Sequence, residues 1–183
     1  MTRRLLALLL AAALCTAQQS TNSGVGGGSG GYQIIGQAYP NISITGVTTE
    51  QNVAAAPVPA NAMGAGGTIR VTLLLSMTNN ANTKTVFVRL NPTSGAVTGG
   101  GMATSAFTST ASAQLLTIIR NNGATNAQST IQTMQTPFSS GTNLVTGLAI
   151  DTTQPAWVNI GIWPANAADT ITLLGYTVEL LPG

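Results

Sequence analysis

The chain has no histidine and one cysteine, and only 5% of its residues are charged. The absence of histidine excludes the Ser-His-Asp and Cys-His arrangements of hydrolases and any imidazole metal ligand. The single cysteine, Cys15, excludes a disulfide framework and a cysteine metal site. A typical soluble domain has about 25% charged residues. The polar surface of this chain must therefore come from Thr, Ser, Asn, Gln and Gly.

The few charges are balanced beyond the N-terminus. The formal net charge is +2, and Arg3 and Arg4 supply two of the six cations. From residue 18 onward four cations face four acids, giving zero: Arg70, Lys84, Arg89 and Arg120 against Glu50, Asp151, Asp169 and Glu179. Nucleic-acid binding needs clustered Lys and Arg, so we expect no nucleic-acid partner. A neutral surface gives little repulsion between copies, which favours a homo-oligomer.

The acids offer one catalytic alternative. Asp151 and Asp169 both fall at predicted strand ends, and a glycosidase needs two carboxylates facing each other across a cleft. The favoured interpretation is that each caps a turn, because aspartate readily bonds its own nearby backbone. Glu179 is predicted to face solvent from its strand. The chain is therefore predicted not to be an enzyme, with no catalytic residue, cofactor or metal.

The N-terminal segment has the pattern of a secretory leader. Residues 1–17 contain two arginines, then the apolar run Leu5 to Leu14, then Cys15 and Ala17 where a cleavage site would stand. Ten apolar residues are too few to span a bilayer, which needs about 20. The alternative is a retained arm that docks in an assembly. Residues 18–31 are predicted to be a Gly/Ser-rich linker, and residues 32–183 to form the folded domain.

The remaining sequence alternates with a period of two, as half-buried strands do. The stronger predicted strands are 68–77, 84–91, 113–120, 144–150, 156–163 and 170–181, and the weaker ones are 32–36, 41–48, 103–109 and 129–134. The polar connection 78–83 predicts a hairpin between the first two. A change of apolar parity at Leu174 and Gly175 predicts a β-bulge. Residues 54–67, with Pro57 and Pro59, are predicted to be a long loop.

This pattern predicts an all-β fold, namely an antiparallel, jelly-roll-like β-sandwich. Trp157 and Trp163 lie on one parity of a strand, with Asn159 and Gly161 between them. They form either an exposed platform for a sugar or partner subunit, or half of a second core face. Arg89 and Arg120 are each predicted near a strand end, where either could contact another subunit or simply be solvated.

Three stretches carry a family resemblance: TIRVTLLLSMTNNANTKTVFVRLN (68–91), LLTIIRNNGATNAQST (115–130) and AIDTTQPAWVNIGIWPANAADTITLLGYTVELLP (149–182). The pattern of strands and turns in these stretches resembles that of small virion structural proteins of tailed bacteriophages, of the head-decoration, head-fibre or tail-fibre kind. The resemblance implies a jelly-roll-like sandwich, often trimeric, that is fixed to a major capsid or tail protein and displays a face to a host-surface glycan or receptor. It transfers no active-site residue. The leader leaves a second hypothesis open, a secreted bacterial adhesin or filament subunit at the cell surface.

Overall fold

A computed structural model describes residues 31–134 and 146–183. The predicted leader and all of the predicted linker except Gly31 lie outside these residues. The described part consists of strands, turns and loops, and none of its residues is helical. Accordingly, it holds no helix long and apolar enough to cross a membrane. The strands are β1 (Gln33–Ala38), β2 (Ile42–Ile44), β3 (Gln51–Val58), β4 (Thr68–Met77), β5 (Lys84–Asn91), β6 (Gly101–Phe107), β7 (Ser112–Asn121), β8 (Gln128–Met134), β9 (Thr146–Leu148), β10 (Ala156–Pro164) and β11 (Ile171–Leu181).

The strands form two antiparallel sheets. The seven-stranded sheet has the order β1-β11-β4-β7-β8-β9, with β2 also pairing with β11, and the four-stranded sheet has the order β3-β10-β5-β6. The facing sides bury one continuous apolar core, to which β4 contributes Ile69, Val71, Leu73 and Leu75 at 0–1% exposure. Because alternate side chains of each strand point to opposite faces, the period of two places these residues inside. The predicted antiparallel, jelly-roll-like β-sandwich is confirmed.

The predicted hairpin of residues 68–77 and 84–91 is wrong, although both strands exist with the predicted bounds. β4 pairs with β11 and β7, whereas β5 pairs with β10 and β6 in the other sheet. The polar connection 78–83 therefore carries the chain across the sandwich. Backbone bonds anchor it at both sides, from Thr78 N to Thr170 O (2.9 Å) and from Ala165 N to Thr83 O (3.0 Å).

The predicted loop 54–67 begins with a strand that the sequence analysis missed. β3 pairs with β10 at the edge of the four-stranded sheet, and it buries Val53, Ala56 and Val58. Proline is tolerated there because an edge strand has one side without ladder partners. Pro57 lies opposite Trp157 in the register.

The predicted bulge in the last strand is confirmed. The register between β11 and β4 shifts between Leu173 and Gly175, so that Leu74 lies opposite Gly175. A side chain at Gly175 would collide with the ring of Tyr39, so the aromatic ring covers the bulge. The four weaker predicted strands are also present, although with shifted bounds, as β1, β2, β6 and β8. Of the predicted strand 144–150, only β9 is described as a strand, and residues 144 and 145 lie outside the described residues.

Candidate interaction surface

Both tryptophans lie on the outer face of the four-stranded sheet. Their neighbours Val158, Ile160 and Ile162 are fully buried in the core, so Trp157 and Trp163 point the other way. Trp163 is 39% exposed, while Trp157 is half-buried. Six residues of extended strand separate them by roughly 20 Å. They therefore do not form one continuous aromatic platform.

Trp163 is part of an aromatic stack with β5. Its ring and that of Phe87 have centroids 6.4 Å apart and are inclined by only 14°. The guanidinium of Arg89 lies 5.1 Å from the centre of the Phe87 ring, within cation–π range. Phe87 and Arg89 are buried, so Trp163 is the accessible end of this row. We name Trp163, Phe87, Arg89 and Glu50 the aromatic row.

Glu50 completes the aromatic row by pairing with Arg89. Arg89 Nη2 donates to Glu50 Oε2 at 2.5 Å and Nε donates to Oε1 at 3.2 Å, a bidentate pair. The two side chains are only 9% and 13% exposed. A side chain at position 161 would overlap the Glu50 carboxylate, so Gly161 makes room for the pair. Arg89 was expected near the end of its strand, either contacting another subunit or solvated. It is instead buried in this pair and does not end its strand.

A loop covers the outer face between the two tryptophans. Asn159 is fully buried because its amide binds the loop between β5 and β6 at two points. Gly95 N donates to Asn159 Oδ1 and Asn159 Nδ2 donates to Thr93 O, both at 2.8 Å. In the sequence, Asn159 is marked only by its place between two tryptophans. A polar residue in the middle of an otherwise apolar strand is the feature of the sequence that could have indicated a buried hydrogen-bonding role for Asn159.

Arg120 lies far from the aromatic row. It is exposed near the end of β7 in the seven-stranded sheet, opposite Thr68 on β4 and Ser129 on β8. Of the four predicted surface residues, the structure therefore brings together Trp163 and Arg89. It places Trp157 at the other end of the same strand and Arg120 on the other sheet.

The outer face of the seven-stranded sheet carries exposed apolar side chains that the sequence analysis did not select. Tyr39 is 71% exposed, Leu74 43% and Leu174 38%. The bulge brings them together, because Leu74 lies opposite Gly175 and Tyr39 packs on that glycine. A depression of about 380 Å³ adjoins Leu74 and Leu174. We name Tyr39, Leu74 and Leu174 the apolar patch.

Beside the apolar patch, Glu179 is buried rather than facing solvent as predicted. Arg70 and Tyr32 both donate hydrogen bonds to its carboxylate. The hydrogen bond from Arg70 is the main cause that holds the pKa of Glu179 below its usual range. The hydrogen bond that Tyr32 donates to Glu179 raises the pKa of the Tyr32 hydroxyl. Arg70 and Glu179 thus neutralise each other within one chain.

Asp151 and Asp169 do not face each other across a cleft. Asp151 Oδ1 accepts from the backbone N (3.0 Å) and hydroxyl (2.6 Å) of Thr153, as predicted for a turn, and these bonds lower the pKa of Asp151. It lines an open depression of about 560 Å³ at the end where β4 begins. Asp169 lies where β4 ends, about 30 Å away along this ten-residue strand. The described residues contain no group of three acids or cysteines able to hold a metal.

Several polar residues of the family-like stretches lie inside the two ends of the sandwich. At one end, Gln128 Nε2 donates to Asn121 Oδ1 (2.8 Å) and Asn121 Nδ2 donates to Thr152 Oγ1 (3.0 Å), all three residues being buried. At the other end, Asn80 lies between Lys84 and Asp169. The quoted stretches therefore build the ends of the fold, and they also supply Phe87, Arg89 and Trp163 of the aromatic row and Leu74 and Leu174 of the apolar patch.

Comparisons with known proteins return only remote structural similarity. No family model matches the chain, and no curated protein matches it. The similar solved structures include Lotus tetragonolobus seed lectin, with 11% identity and a TM-score of 0.39 over 85% of this chain and 95% of that one. Lectin II from Ulex europaeus has 12% identity and a TM-score of 0.38 over 82% and 92%. Peanut lectin has 9% identity and a TM-score of 0.38 over 85% and 92%. With scores this low, the fold assignment rests on the strands and sheets themselves.

Proposed function

We propose that this chain is a non-enzymatic structural subunit of a tailed-bacteriophage particle, which decorates the capsid or forms a fibre and assembles with copies of itself. The observation that carries self-assembly is the apolar patch, where three large side chains are 38–71% exposed on one sheet face. Clustered exposed apolar side chains mark interaction sites more often than isolated ones do. The virion setting rests on the resemblance of residues 68–182.

Charge supports a partner of the same kind. The two described ion pairs, Arg70–Glu179 and Arg89–Glu50, each join residues of the same chain. These two pairs therefore leave no unpaired charge of their own for a charged partner, whereas a second copy of the chain can cover the apolar patch without separating either pair. Closed cyclic assembly, here a trimer, would also cover sheet edges.

The test of self-assembly is the native mass. We expect the purified chain to be a trimer by native mass spectrometry and light scattering. Leu74→Glu and Leu174→Glu should each shift it to monomer, because a carboxylate would be buried in the interface. The matched control is Thr104→Glu, an exposed position on a strand of the other sheet. A monomeric wild type at all concentrations, or variants that remain trimeric, would refute this interface.

The test of the virion setting is location. Antibodies against the folded chain should label the head or tail of purified particles in electron micrographs. The second hypothesis, a secreted adhesin or filament subunit, expects a mature N-terminus at Gln18 and no labelling of particles. N-terminal sequencing of the native protein, together with the micrographs, separates the two.

Glycan display is a second candidate function, and the aromatic row is the observation that favours it. The Trp163 ring stacks on Phe87 and is partly exposed, so it offers a ligand a flat apolar surface. Tryptophan fluorescence during titration with host-surface glycans tests this. Trp163→Ala should abolish any response, and Trp157→Ala, on the same strand, should preserve it. Loss of the response in Trp157→Ala alone would place binding elsewhere.

A further inference from the structure

Lys84 is the most deeply buried charged residue of the described chain. It begins β5, and its exposure is 0%. Its ammonium donates to Asn80 Oδ1 at 2.8 Å and to Asn80 O at 3.1 Å. Among the described residues no carboxylate lies within 4.0 Å of it. A buried ammonium held only by one asparagine is costly, and desolvated lysines are known as nucleophiles.

The side-chain amide of Asn80 is positioned as an electrophile, because both its oxygen and its nitrogen have hydrogen-bond partners. Asn82 N donates to Asn80 Oδ1 at 3.0 Å, so this oxygen has a backbone donor as well as Lys84. A fixed backbone N–H at that oxygen would stabilise the charge that develops when the carbon is attacked. On the other side, Asn80 Nδ2 donates to Asp169 Oδ1 at 2.6 Å. The nitrogen that would leave therefore touches a carboxylate.

Asp169 is placed to transfer the protons. Its exposure is 1%, and its second oxygen, Oδ2, is buried without a hydrogen-bond partner. The 2.6 Å contact with Asn80 Nδ2 is within the range of general acid catalysis. Asn80 lies in the connection that crosses between the sheets, Lys84 begins β5 directly after it, and Asp169 lies two residues before β11. The fold thus brings the three groups together.

We propose that Lys84 and Asn80 join in an intramolecular isopeptide bond, with Asp169 as the proton-transfer group. The Lys84 ammonium gives a proton to Asn80 Oδ1 while Asn80 Nδ2 gives one to Asp169 Oδ1, so that the Asn80 amide relays the proton to the carboxylate along the two hydrogen bonds. The neutral amine then attacks Asn80 Cγ, the new Nζ–Cγ bond forms, and the Cγ–Nδ2 bond breaks. Nδ2 takes back the proton held by Asp169, takes the proton held on Oδ1 and the second proton that Nζ loses on attack, and leaves as ammonium. The balance is one ammonium and one carboxamide giving one secondary amide and one ammonium ion, with no oxidation or reduction.

The test needs only the wild-type chain. Trypsin normally cuts after lysine, so digestion should release residues 71–84 and 85–89 as separate peptides. With the bond formed, residues 71–89 stay together, uncut at Lys84, and their mass is lower by about 17 Da because ammonia is lost. Fragmentation should place the link between Asn80 and Lys84.

Four comparisons fix the assignment. Lys84→Arg keeps the charge but should restore both the full mass and the cut. Asn79→Ala, an exposed neighbour in the same connection, should leave the bond intact. A synthetic peptide of residues 71–89, which lacks Asp169 and the fold, should stay unlinked. In Asp169→Asn the bond should be lost or its formation slowed at least tenfold, and a bond formed at the wild-type rate would refute the role of Asp169.

Two results would overturn the bond itself. The first is a wild-type digest with full mass and a normal cut after Lys84. The second is the same mass loss with a normal cut after Lys84, because that result means a succinimide at Asn80 that leaves the lysine free.

Discussion

Removing Arg89 should destabilise the domain strongly, because the Glu50 carboxylate would remain buried without a partner. Its carboxylate is 13% exposed and lies over Gly161, where the outer face has no room for a side chain. In Arg89→Met the apolar stem still packs on Phe87, but the carboxylate stays buried without its cation. Breaking a buried pair in this way costs about 3–5 kcal/mol. For a domain of this size that is a fall in Tm of about 6–20 °C.

Urea and thermal unfolding of four proteins measure this effect. These are the wild type, Arg89→Met, Glu50→Gln and the double variant. The double variant should recover part of the loss, because the unpaired charge is gone, so the two single effects should not add. Additive effects, or a loss below about 1 kcal/mol in Arg89→Met, would mean that water reaches the pair. The buried geometry of the aromatic row would then be wrong.

Two further predictions concern the two outer faces. Arg70 lowers the pKa of Glu179 in the folded state. The ionised Glu179 carboxylate therefore stabilises the fold fully above the ordinary glutamate pKa of about 4.3. This stabilisation is lost as the pH falls through the lower pKa of the folded state. Urea unfolding from pH 7 to pH 3 should show a smaller acid loss in Glu179→Gln than in the wild type, and parallel curves would contradict this. Asn159→Ala should cost about 1–3 kcal/mol, because it leaves polar groups of the covering loop without partners. Hydrogen exchange should then accelerate at Gly95 and not at Ile160, and uniform acceleration would instead indicate global destabilisation.

The sequence predicted strands where apolar alternation was strong and missed what depends on distant partners. β4 and β5 have the predicted bounds because their inward residues alternate without interruption. Their assignment to one hairpin failed, because a polar six-residue connection fits a turn within a sheet or a crossing between sheets equally well. β3 was missed because Pro57 and three alanines are poor strand formers, and only the edge position beside β10 makes them acceptable.

The candidate surfaces were less predictable than the fold. Trp163 and Arg89 were selected individually, but their connection through Phe87 depends on the register of β5 against β10. Leu74 was assigned to the polar side of its strand, and nothing local shows that the bulge at Gly175 places Tyr39 beside it. Glu179 and Asp169 have no sequence signal of burial, since their partners lie 109 and 89 residues away.

The pairing of the first described strand with the last one has a consequence for synthesis. β11 lies between β1 and β4, so the strand that joins β1 and β2 to the rest of the seven-stranded sheet is missing until residue 181 has been translated. At roughly 5–20 residues per second, β1, β4 and β7 would wait for seconds with unpaired edges and uncovered apolar faces. Folding is therefore dominated by contacts of high sequence separation, and it should be slow. Nascent chains of this protein should depend on chaperones more than a helical bundle of the same length.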